Sequence, residues 1–178
     1  FQSIGQRRDV VVINAQMLVL DWYVKNINKK HPEVVDLELI NIHEADMSMT
    51  RDRRILSLIN KSLTNRDIYL AAYFGKDILQ SKEIDLFPMG IVFQVFPKGH
   101  LNAKQALEKS GEHWNNYIMR EVKQSENYGF QVGLIVKYYA VMLSNLGTFN
   151  FINNQPQEAL KYFKKAVEID SSDVLINN

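Results

Sequence analysis

Residues 145–171, NLGTFNFINNQPQEALKYFKKAVEIDS, hold two helical segments joined by an Asn-rich turn. Ala159, Phe163 and Ala166 follow one another at four and then three residues, one face of a 3.6-residue helix. Leu146 and Gly147 sit where the preceding helix needs little volume, so the two backbones are expected to approach closely there. Pro156 suits the first turn of the second helix, Glu158 complements its positive end, and residues 170–173, Asp-Ser-Ser-Asp, close it. Working outward, Ile135, Tyr138, Tyr139, Met142, Leu143, Leu146 and Phe149 keep the period of an amphipathic helix ahead of the turn. A solitary helical pair leaves a flank uncovered and must lean on something else.

The spacing of Leu146, Gly147, Ala159, Phe163 and Ala166 resembles one tetratricopeptide unit, over about residues 138–171. That resemblance implies a helix-turn-helix used for protein-protein interaction. A degenerate neighbour ahead of Tyr128 is compatible with the pattern, and Val174, Leu175 and Ile176 either begin a further unit or cap the stack.

Upstream the signals change to strands. Val10, Val11, Val12 and Ile13 form a β-branched run, followed by Asn14 as a helix N-cap. Met17, Leu20, Val24 and Ile27 then repeat at helical spacing until Pro32. Residues 34–40 alternate in part and read as a short strand or an irregular crossing. A polar-capped helix is expected from Ser48 or Thr50 through Leu63, then a strand over residues 67–74 and another over 91–96, after Pro88. A right-handed crossover predicts parallel pairing for the first two strands, while the gap from Phe74 to Gly90 leaves room for an antiparallel return. Ala103, Leu107, Trp114, Tyr117, Ile118 and Val122 suggest one or two helices with a break at Ser110-Gly111. The expected fold is therefore α/β: a small three- or four-stranded parallel or mixed sheet over residues 1–99, then an all-helical extension over 100–178.

The chain has 178 residues, enough to bury roughly two thirds of its unfolded surface. Its 21 basic and 20 acidic residues nearly balance, so no field of one sign is present to hold nucleic acid. Cysteine is absent, which removes disulfides, thiolate catalysis and Cys-based metal sites. No window approaches the ~20 apolar residues needed to span a bilayer. The chain opens at Phe1 with neither an initiator Met nor a leader pattern, and is expected to be a piece of a longer protein.

Signals for chemistry are sparse. His31, His43, His100 and His113 have no partner ligand at the spacing of a helical zinc site, and His43, Glu44 and Asp46 read as an ordinary solvated loop, so no metal or cofactor is expected. Gly129 and Gly133 stand four apart and suggest close helix contact. Phosphate loops, dinucleotide fingerprints and nucleophile elbows are missing. If the sheet carries a ligand at its strand carboxyl ends, Asn14, Asp21, Tyr73 and Lys76 are the first residues to suspect.

The first half also resembles a known family. The string Arg8-Asp9-Val10-Val11-Val12-Ile13-Asn14, then Leu18 with Asp21-Trp22-Tyr23, then Asp67-Ile68-Tyr69-Leu70-Ala71, then residues 90–97 (GIVFQVFP), is similar to the soluble C-terminal region of large polytopic membrane proteins abundant in Bacteroidetes. Those proteins resemble protein O-mannosyltransferases and are regarded as lipid-sugar-dependent glycosyltransferases. The likeness covers most of residues 1–120. It implies an extracytoplasmic location, a parent embedded in the membrane with its catalytic acid in the membrane half, and no catalytic residue in this chain. The function expected is a non-catalytic domain that binds or positions an acceptor polypeptide, glycan or partner protein. A small-ligand or enzymatic α/β domain and a free-standing tetratricopeptide scaffold are the alternatives.

Overall fold

The structure, a computed structural model, describes residues 10–71, 78, 81–116 and 130–170. Among them are five α-helices, two 3-10 turns and a small three-stranded antiparallel sheet, making the chain mixed α/β. The described residues fall into two compact units, 10–68 with 78 and 81–82, and 69–71 with 83–116 and 130–170. The division expected at residue 99 is therefore displaced: the strands over residues 84–97 belong with the C-terminal helices, because their apolar side chains share one core with them.

The first unit is helical. A 3-10 turn, Ala15–Val19, precedes α1, Asp21–Lys30; a second turn, Leu37–Asn41, precedes α2, Met47–Ser62. Asn14, Asp36 and Asp46 cap three of these elements, each accepting from the backbone N–H two residues on. Leu18, Val24, Val35, Leu39 and Ile59 are buried between them.

This unit departs from the sequence expectations at three places. Residues 10–13 do not form a strand. Their β-branched composition signals fit to a pleated, half-buried surface, yet Val12 is exposed and the segment simply leads into the Asn14 cap. Of the two readings of residues 34–40, the strand is absent and the irregular crossing is what forms: residues 37–41 turn as a 3-10 helix, because the Asp36 carboxylate accepts from the Glu38 N–H at 3.0 Å and so starts a turn. The helix expected from Met17 to Ile27 is also interrupted, at Leu20, whose backbone is extended.

The sheet comprises β1 (Ile68–Leu70), whose last two residues fall in the second unit, with β2 (Ile84–Met89) and β3 (Val92–Pro97) of that unit, in the order β1-β3-β2. The antiparallel hairpin β2-β3 pairs Ile84 with Pro97 and Met89 with Val92, which leaves Gly90 and Ile91 as a two-residue loop. Gly90 takes φ 62°, the left-handed value such tight hairpin loops require at their first position. Parallel pairing is thus replaced by a local hairpin. No strand was expected over residues 84–89, and Pro88 is accommodated there because β2 is an edge that does not need every N–H.

Helix α3, Ala103–Asn116, runs unbroken through Ser110 and Gly111. Ala106, Ser110 and Trp114 are buried on one face at spacings of four, and the Ser110 hydroxyl donates to the Pro88 carbonyl at 3.0 Å. This burial outweighs the helix-breaking tendency of Ser-Gly. The expected helical residues Tyr117, Ile118 and Val122 lie outside the described residues.

Helices α4, Phe130–Ile152, and α5, Pro156–Ile169, form the predicted hairpin. Its turn is a Schellman motif. The Gln155 N–H donates to the Asn150 carbonyl at 3.0 Å and the Asn154 N–H to the Phe151 carbonyl at 3.1 Å, with Asn154 at φ 60°. Phe87 and Met89 of β2, Trp114 of α3, Met142, Leu143 and Leu146 of α4, and Tyr162 and Ala166 of α5 make the core. Phe87 meets Phe149 edge-on, with ring centroids 4.7 Å apart.

Candidate binding surface

The strand-end suspects have structural work. Asn14 caps the first turn, its side-chain oxygen accepting from the Gln16 N–H at 3.0 Å, and its own N–H donates to the Tyr23 hydroxyl at 2.8 Å. Asp21 accepts from the Arg54 guanidinium at 2.8 Å. Without a strand over residues 10–13, neither stands at a strand carboxyl end. Tyr73 and Lys76 lie outside the described residues.

Arg54 was not singled out by the sequence, and it organises the first unit. Its side chain is completely buried, and it donates to the carbonyls of Leu18 at 2.7 Å, Ile42 at 3.2 Å and Ile40 at 3.3 Å as well as to Asp21. The planar fork satisfies groups from three segments at once, which an ammonium cannot do. Taking up the Leu18 carbonyl also accounts for the break between the 3-10 turn and α1. The Arg54 hydrogen bond holds the Asp21 carboxyl below the usual carboxylate range; His43 and Lys25 add smaller attractions.

Two acidic residues of the loop before α2 are likewise engaged. The Ser48 hydroxyl and N–H lower the Asp46 carboxyl, and Glu44 lies 3.6 Å from Arg53. Among the described residues no group of three or more His, Asp and Glu is placed to hold a metal ion. In the second unit, burial disfavours the charged form of Asp85, yet Lys98 at 2.6 Å and the Gly99 N–H at 2.8 Å outweigh it and its pKa is lowered. That contact ties the open end of the hairpin.

Leu146, Gly147, Ala159, Phe163 and Ala166 all lie on the α4-α5 helix pair. Leu146, Ala159 and Ala166 are buried at the helix pair. Gly147 is filled from across the interface by the Phe163 ring: a Cβ on Gly147 would lie 2.7 Å, 2.8 Å and 3.0 Å from three ring carbons. Tyr162 is buried beside them, and burial pushes its phenol pKa up. Gly133 makes no close helix contact, with nothing within 4 Å of its would-be Cβ, and Gly129 lies outside the described residues.

Beyond this contact the pair leaves apolar side chains outside. Phe151 is 64% and Ile152 71% exposed at the end of α4; Leu160 is 48% and Val167 44% exposed on α5. Across residues 130–152 Lys137 is the single charged residue. A helix with so little polar surface ordinarily has neighbours on every side. No helix among the described residues is long and apolar enough to cross a membrane. No known protein family, curated protein or solved structure matches this chain.

Proposed function

We propose that this chain is a non-catalytic, extracytoplasmic module of a larger membrane-embedded, glycosyltransferase-like protein, and that its tetratricopeptide-like helix pair docks an acceptor polypeptide, glycan or partner protein. The observation carrying this reading is the exposed apolar set Phe151, Ile152, Leu160 and Val167 around a tightly closed helix contact. Several large apolar side chains left in water on one hairpin are characteristic of an interaction surface. The engagement of Asn14 and Asp21 in capping and ion pairing supports it, since two of the four residues on which the enzymatic alternative rests already serve the fold.

The test uses the full-length protein and a crosslinking survey of its partners. Replacing Phe151 and Ile152 together by Glu is expected to abolish capture of a polypeptide or glycan, while Asn14→Ala, a cap loss of about 1 kcal/mol, leaves capture intact. Equal capture by all three proteins, or loss confined to Asn14→Ala, overturns the reading.

A further inference from the structure

On α5 the exposed positions Gln157, Leu160, Lys164 and Val167 are spaced by three, four and three residues, the a/d pattern by which one helix packs along another. The broader apolar face of α5, with Ala159, Tyr162 and Ala166, is already spent in the core. What remains is a narrow seam: Leu160 in a shallow groove of about 430 Å³ that is otherwise lined by Gln157, Lys161, Lys164, Lys165 and Glu168, and exposed Val167 one turn further on, outside the groove.

The charges along it are one-sided. Three lysines stand within five residues, against Glu168 in the same groove. Lys161 is 3.3 Å from Glu158, whereas Lys164 and Lys165 have no carboxylate partner among the described residues. We infer that this seam binds an acidic amphipathic helix of a partner protein, with aliphatic side chains seated on Leu160 and Val167 and carboxylates beside Lys161, Lys164 and Lys165.

A second copy of the chain is a poor occupant. A two-fold axis through the seam's centre brings Lys164 onto Lys164 of the other copy, or beside its Lys161, and like charges at such positions are destabilising. A bilayer surface is a poor one too, because an interfacial helix needs a wide apolar face and α5 has only two aliphatic residues left over. The inference rests on the docking reading above but concerns α5, so it fails or stands separately from the Phe151 and Ile152 test.

The experiment is fluorescence anisotropy with the intact 178-residue chain. The probe is a labelled designed helical peptide, about 21 residues long, with Leu at a and d and Glu at e and g; a second has Lys in place of Glu. Binding of the Glu peptide at least ~10-fold tighter than the Lys peptide is expected, weakening as salt rises from about 50 to 300 mM. Lys164→Glu should reverse the preference, and Leu160→Gln should weaken the Glu peptide ~10-fold with an unchanged melting temperature. Equal binding of the two peptides, a preference untouched by Lys164→Glu, or failure of both to bind overturns it. So does tighter binding to vesicles of one part phosphatidylserine to three of phosphatidylcholine than to the Glu peptide.

Discussion

Replacing Gly147 by Ala tests the helix contact with an opposite sign expected in two backgrounds. In a helix interior Ala is more favourable than Gly by about 1 kcal/mol, so a free surface at position 147 would make the change stabilising. Here the added carbon would stand 2.7 Å from the nearest Phe163 ring carbon, against 3.4–4 Å for ordinary contact. The ring must therefore give way by roughly 0.5–1 Å, and overpacking of this kind costs about 1–3 kcal/mol. The net effect is a loss of about 1 kcal/mol. In a Phe163→Ala background the obstructing ring is gone, and the same Gly147→Ala change is expected to stabilise by about 0.5–1 kcal/mol. A coupling energy of about 2 kcal/mol between the two positions follows. Urea unfolding of the four proteins, read as midpoints at constant m, measures it. A Gly147→Ala protein as stable as the parent or more so, with coupling near zero, refutes the contact.

Other outcomes follow from the same geometry. Ala159→Leu should overpack the pair by about 1–3 kcal/mol, whereas Lys161→Leu on the exposed side should leave the melting temperature nearly unchanged. Arg54→Met removes the donor that serves three carbonyls and Asp21, and is expected to cost about 3–5 kcal/mol by urea unfolding; Arg54→Lys should recover little of it. Ser110→Ala leaves the Pro88 carbonyl without its buried donor and should cost about 1 kcal/mol. Asp21, Asp36, Asp46 and Asp85 all have folded pKa values below their ordinary ones. Their stabilisation is thus complete above about pH 4 and is lost as pH falls through the folded values. Unfolding midpoints at several pH values should decline over that range, and less steeply in Asp85→Asn.

The helical hairpin was legible in the sequence because its determinants are local: apolar periodicity, small residues at fixed spacing, Pro156 after an Asn-rich turn. Helix α2 was legible for the same reason, with Asp46 capping it instead of Ser48. The sheet was harder. Pro88 and Asp85 obscured β2, and only the pairing with β3 and the partners Lys98 and Ser110 give them a place. The opposite error occurred at residues 10–13, where a strong local strand pattern is overruled by the cap that follows. Arg54 lies in the run Arg51-Asp52-Arg53-Arg54, which reads as a solvated charged turn of helix; its burial depends on carbonyls 12 to 36 residues away. Asn14 and Asp21 were visible as polar residues at element ends, but what they bind is the fold itself. The exposed positions of α5 needed the α4 contact to be known first, since only that contact shows which face is left over.

The docking claim is tested most directly by a photoreactive amino acid placed at Ile152 of the full-length protein, with the same residue at exposed Glu108 of α3 as reference. The account predicts a discrete crosslink from position 152 to a polypeptide or glycopeptide identified by mass spectrometry, and none from 108. Equal labelling from the two positions, or crosslinks only within the chain itself, would contradict it.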